Sequence, residues 1–194
     1  MYIRNCAGLK MSNYSAVGAS ILRCIAEEAR IENINSTPGA TVVIGKKNIS
    51  TTIQQAISTQ ENLVIQIGGC DTTNDFLRIP RHTDITQDFL KKIKALLKLR
   101  ARCFINKGHL ILILLLPRHL ISNLAVTREI VKTNRELRKI VREVRKQSKT
   151  KIQWVDTEYI AHPSFFRKDQ VHPNEKGTKA IAKQVTDLMN NNYA

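Results

Sequence analysis

Short apolar stretches alternate with longer stretches of helical period along this chain. Residues 14–17 read as a strand, and a helix is expected from Ile21 to about Glu32. Residues 41–44, β-branched or nearly so throughout, read as a second strand, and 50–58 as a short helix. A third strand is expected at 63–67, then a loop, then a helix from about 83 to 102. The run 110–116 is the most apolar of the chain and is expected at the centre of a sheet, covered on both faces. Residues 124–147 form a long helical pattern, 152–155 a fifth strand and 174–189 a last helix. Five β-α units imply an α/β fold, a three-layer α/β/α sandwich with a five-stranded parallel sheet. Such sheets bind ligands beyond the carboxyl ends of their strands. Attention therefore falls on Gly18 to Ser20, Gly45 to Asn48, Gly68 to Asp75, Pro117 to His119 and the segment after Val155.

Composition narrows the picture. A chain of 194 residues, 42% hydrophobic, is long enough for one well-packed domain, expected over 14–189, with a ragged segment at 1–13 and a frayed tail at 190–194. Cys6, Cys24, Cys70 and Cys103 make no CxxC, and no His stands at zinc-finger spacing from them, so no metal is expected and the thiols are read as free. The N-terminal residues lack a signal-peptide core, and 110–116 is too short to cross a bilayer as a helix. The expected location is intracellular, cytoplasmic or nuclear. The formal net charge of +15 draws the chain toward polyanions, either RNA or DNA or an anionic membrane surface.

Candidate chemistry is densest near the C-terminus, in Asp169-Gln170-Val171-His172-Pro173-Asn174-Glu175-Lys176-Gly177. On a tight turn, a carboxylate three residues before a histidine reaches the imidazole, fixes its tautomer and leaves the other ring nitrogen free as a base. A bare Asp-x-x-His also reads as a helix-capping turn. Ser20, where the first strand meets its helix, taken alone reads as an N-cap, and taken with the Asp-x-x-His block as an exposed nucleophile. Gly45 is either a turn glycine or an oxyanion donor, and Cys70 either a small buried thiol or a group in the oxyanion position.

The string Asp-x-x-His-Pro-Asn-x-x-Gly before the final helix resembles the last block of the SGNH (GDSL-type) hydrolases. Gly18-Ala19-Ser20 resembles their Gly-Asp-Ser block, with Ala19 in place of the Asp, and Gly68-Gly69-Cys70-Asp71 their Gly-x-Asn-Asp block, with Cys70 in place of the Asn. The resemblance implies a flavodoxin-like sheet and a serine esterase acting on a small acyl-ester substrate without a cofactor. It implies Ser20 as nucleophile, His172 as base and Asp169 as its orienting carboxylate. The oxyanion donors would be Ser20 and Gly45 through their N–H groups, with Cys70, or Asn74 bending back, at the third position. A thiol is a weak donor. Leu116-Pro117-Arg118 and Asn134-Arg135-Glu136-Leu137 resemble the SGNH domains of some non-LTR retrotransposon proteins. Asn134 lies on the apolar face of its helix and is expected to be a buried, hydrogen-bonded structural residue.

Lys132, Arg135, Arg138, Lys139, Arg142, Arg145, Lys146 and Lys149 recur at three- and four-residue steps and are expected on the solvent face of the long helix. Lys91, Lys92, Lys94, Lys98, Arg100 and Arg102 crowd the helix before it. A merged patch of this kind would hold phosphate backbones with little sequence preference. Oskar-type domains, SGNH-like folds that bind RNA without the triad, show by analogy that the fold permits such a role.

Overall fold

The computed structural model describes residues 13–43, 45–77, 84–117 and 124–191. Its elements are β1 (Ser15–Ala19), α1 (Ser20–Glu28), β2 (Asn33–Thr37), α2 (Ser50–Thr59), β3 (Asn62–Gln66), α3 (Gly69–Leu77), α4 (Ile85–Cys103), β4 (His109–Ile113), α5 (Leu124–Gln147), β5 (Lys151–Val155) and α6 (Glu175–Asn190). Two 3-10 turns, Glu158–Ile160 and Pro163–Phe165, lie between β5 and α6. All five strands are parallel, in the order β2-β1-β3-β4-β5. Every residue of β3 and β4 is buried, as strands covered on both faces require. One face carries Leu22, Ile25 and Ala26 of α1 with Ile181, Ala182 and Val185 of α6, packed on Val64, Ile111 and Ile113. The other carries α2, α4 and α5 on Leu63, Ile65, Leu110 and Leu112. This is the expected three-layer sandwich. Among the described residues no helix is long and apolar enough to cross a membrane.

The second strand is not where the hydrophobic pattern put it. β2 is the polar run Asn-Ile-Asn-Ser-Thr at 33–37, alternately more and less exposed at the sheet edge, where one flank has no strand to bury it. The β-branched stretch from 41 instead forms a loop. Its backbone is bonded elsewhere: the Val42 and Val43 N–H groups donate to the Asp71 carboxylate at 3.1 Å, and Thr41 bridges to Asn48. A side-chain acceptor has outcompeted a strand partner. The first helix also ends earlier than expected, at Glu28, where Arg30 turns the chain with φ 57°. The segment after β3 expected to be loop contains α3, entered through Gly68 at φ 102°. The frayed tail beyond 191, the ragged start to residue 12, His82, Arg118 and His119 lie outside the described residues.

One charged side chain of α4 is also placed otherwise than expected. Arg100 belongs to no surface patch: it is fully buried, donates to the carbonyls of Ile57, Gln60 and Glu61, and lies 3.9 Å from the centre of the Phe104 ring. It ties the end of α2 to the start of β3, satisfying carbonyls that the helix cannot. Burial, the foremost cause, pulls its pKa down to about 10.

Candidate active site

The strand order reverses between β1 and β3, so a crevice is expected outside their carboxyl ends. Ser20 sits there as the first residue of α1, directly after β1. Ala19 caps the helix with extended backbone and no side-chain bond, leaving the first-turn N–H groups without a side-chain cap. Residue 18 must be glycine, because a Cβ there would lie 1.9 Å from the Gln66 carbonyl oxygen. The turn that presents Ser20 is therefore fixed by the close approach of β1 to β3.

The segment before α6 is organised around Asp169. Its Oδ1 accepts from the Val171 and His172 N–H groups, both at 2.9 Å, and its Oδ2 lies 2.8 Å from His172 Nδ1. The small burial of the carboxylate raises its pKa, but the His172 and Val171 N–H groups and the His172 ring outweigh that, and the pKa falls to about 2. An ionised carboxylate cannot donate, so Nδ1–H is the donor in this contact and Nε2 points away from Asp169. The rest of the string holds this turn. Asn174 Oδ1 caps α6 by accepting from Gly177 N–H at 3.0 Å, while its Nδ2 donates to the carbonyl of Ser164 at 2.7 Å. Pro173 is buried and bridges to Phe166. Gly177 leaves room for the Phe165 carbonyl, which a Cβ would meet at 2.3 Å.

α1 and α6 pack side by side on one sheet face. Cys24, Glu27 and Glu28 share a cleft of about 410 Å³ with Arg167, Glu175 and Thr178, and Lys179, further along α6, acts on Glu28. The start of α6 thus lies beside the second half of α1. No hydrogen bond joins Ser20 Oγ to His172 among the described residues.

Gly45 lies in the loop after β2 with φ 121°, in the conformation that favours glycine. That loop is held by Asp71, which is 1% exposed and whose pKa burial pushes up against the pull of the Val43 and Val42 N–H groups. Asp71 stands in register with the family block in the sequence, and that register is the signal for this task. Cys70, partly buried and not in a disulfide, lies in the first turn of α3, and Asn74 lies one turn further along the same helix rather than in a loop. The Asn74 side chain is outside the described residues. Asn134 is structural, as expected: it is 1% exposed, and its amide bonds both the N–H and the carbonyl of Leu115 at 2.8 Å.

Of the basic residues of α5, Lys132, Arg135, Lys139, Arg142, Arg145 and Lys146 are exposed. Arg138 departs from the expectation. Its side chain is only 14% exposed and pairs with Asp156 at 2.7 Å and Glu158 at 2.8 Å, just beyond β5. Burial weakens its charged form, but those two carboxylates more than restore it. Lys132 and Lys139 pair with Glu129 and Glu136, and Lys94 reaches across to Glu143.

The family model for the GDSL-like lipases and acylhydrolases matches residues 2–185. No curated protein matches the chain. Similar solved structures include LAE5, an α/β hydrolase enzyme from the metagenome of Lake Arreo, with 16% identity over 92% of this chain and 95% of that one, TM-score 0.68. A member of the lipolytic G-D-S-L family from Veillonella parvula is 19% identical over 90% and 96%, TM-score 0.59. Axe2, an acetylxylan esterase from Geobacillus stearothermophilus, is 13% identical over 91% and 93%, TM-score 0.64. At these identities the structural likeness speaks for the fold alone, whereas the family model spans nearly the whole sequence, and on that ground the chain belongs to the GDSL-like lipase/acylhydrolase family of SGNH hydrolases.

Proposed function

We propose that the protein is a serine hydrolase of small acyl esters with Ser20, His172 and Asp169 as its triad. The observation that carries this reading is the 2.8 Å bond between Asp169 and His172 Nδ1, which leaves Nε2 available on the turn before α6. In the reaction, Ser20 Oγ attacks the ester carbonyl carbon while His172 Nε2 takes its proton. The negative oxygen is met by the N–H groups of Ser20 and Gly45, with Cys70 or Asn74 at the third position. The ester C–O bond breaks, His172 returns the proton to the departing alcohol, and the acyl group stays on Ser20. Water, deprotonated by His172, then attacks that acyl group; its bond to Ser20 Oγ breaks, the acid leaves, and His172 returns the proton to Ser20 Oγ. Asp169 stays ionised throughout and stabilises the imidazolium.

Because an acetylxylan esterase is among the similar structures, acetyl esters are the first substrates to try. Hydrolysis of p-nitrophenyl acetate by the wild-type protein, and a loss of about 10³-fold or more in Ser20→Ala with an unchanged circular dichroism spectrum, is the expected result. Equal rates in the two proteins would refute the triad.

A second reading is favoured by a separate observation. Arg135, Arg142, Arg145 and Lys146 are exposed, and none belongs to an ion pair among the described residues. With Lys132 and Lys139 they form a face that attracts the phosphate backbone of RNA or DNA. Arg138, occupied by Asp156 and Glu158, is not part of it.

A further inference from the structure

α4 and α5 end side by side, and between their last turns the surface forms a groove of about 670 Å³. Lys98 and Arg102 from α4 and Lys146 and Lys149 at the end of α5 line it, and all four are exposed. Among the described residues no carboxylate lines the groove and none of the four cations belongs to an ion pair, although Glu143, paired with Lys94, also acts on Lys98 from outside it. Elsewhere on these helices lysines do find acids, as Lys91 with Asp88 and Lys94 with Glu143. Cations at helix C-termini complement the macrodipole. One cation at each end would serve that purpose, and four converging on one concavity exceed it. The groove wall also holds Ile105, 65% exposed.

α4 leads into β4 and α5 into β5, so this groove lies at the amino ends of the strands. Ser20 lies at the opposite, carboxyl edge. We infer that this groove is a docking site for the phosphate backbone of single-stranded RNA, at the pole of the molecule away from the hydrolase chemistry. The inference rests on the polyanion reading above and moves its centre from the length of α5 to the joint ends of α4 and α5. Charges on the walls of a concavity focus on a chain threading it, and low-dielectric walls strengthen that field. A flat anionic membrane touches only a rim. Ile105 gives a sugar or base an apolar surface beside the phosphates. Because the contacts are to the backbone, binding is expected to be salt-sensitive and weakly dependent on sequence.

The test compares two triple charge reversals of the whole chain in binding a fluorescent 20-nucleotide RNA across a salt series. One is Arg102, Lys146 and Lys149 to Glu. The other is Arg23, Lys179 and Lys183 to Glu, equal in net charge but taken from exposed positions of α1 and α6 on the other face of the sheet. The groove triple is expected to bind at least tenfold more weakly and to flatten the salt slope by about 2, while the second triple stays within about threefold of wild type. Thermal melts and ester hydrolysis verify that both are folded. Equal weakening by the two triples, or none by the groove triple, overturns the groove while leaving the broader polyanion reading in place. Failure of the wild-type protein to bind RNA, with or without binding to phosphatidylserine vesicles, overturns the groove, and failure to bind single-stranded and duplex DNA as well overturns both.

Discussion

Single side chains decide how well this site can work, and Cys70 is the one that departs most from the family block. It stands in the first turn of α3, beside the Asp71 that fixes the Gly45 loop. If its place is the third oxyanion donor, a thiol does that work badly. Replacing Cys70 with Asn should raise kcat for p-nitrophenyl acetate by ~10-fold or more, since one lost donor costs ~100- to 1000-fold where it has been measured. Unchanged turnover in a folded variant would place that donor elsewhere. At this scale the sequence was legible where a motif is local. The contact between Asp169 and His172 lies within four residues of chain and was expected, and the Asn174 cap and Gly177 fall in the same string. It was illegible where the partner is remote. Nothing near Arg100 foretells the carbonyls of Ile57, Gln60 and Glu61, and nothing near Arg138 foretells Asp156 and Glu158. Side chains that recur at helical spacing look alike in sequence whether they face water or a distant acceptor.

Elements are chosen by competition for backbone partners, and the segment after β2 shows it. By propensity Thr41, Val42 and Val43 should extend a sheet. They do not, because Asp71 takes the N–H groups of Val42 and Val43, and the polar 33–37 run takes the edge of the sheet. Replacing Asp71 with Ala should strand those N–H groups and cost about 2–4 kcal/mol in urea unfolding. It should also lower ester hydrolysis, because the Gly45 loop loses its anchor. A loss below about 0.5 kcal/mol would mean the loop holds without the carboxylate. The central strands were legible because burial on both faces leaves an unbroken apolar run. The edge strand and α3 were not, since neither has a pattern that burial imposes.

Across the whole molecule, one buried histidine couples stability to pH. His109, at the start of β4, is fully buried, with Nδ1 2.7 Å from the Tyr14 hydroxyl. Burial, with Lys151 adding repulsion, pushes its pKa down to about 4 from an ordinary 6.5. Below pH 6.5 the unfolded chain takes up a proton that the folded one refuses until about 4. Stability is therefore complete above pH 6.5 and drains away as the pH falls to 4, by up to about 3 kcal/mol. Urea midpoints at pH 7, 5.5 and 4 should fall for the wild type. The difference between it and His109→Gln should narrow over the same range, and a constant difference would count against His109 as the source. Asp169, with a pKa of about 2, stays charged through that window, so acid should unfold the protein before it uncouples the Asp169–His172 pair.

The packing of α6 against α1 has a consequence for how the chain is made. The sheet face formed by Val64, Ile111 and Ile113 is covered by those two helices together. α1 is synthesised early, but α6 follows every strand. During vectorial synthesis the sheet can therefore assemble while part of one apolar face still looks into solvent or onto a chaperone. A nascent chain stalled after β5 is not a smaller hydrolase. It is a sticky intermediate, and the sixteen residues of α6 act as the closing plate that takes it out of reach of aggregation and quality control.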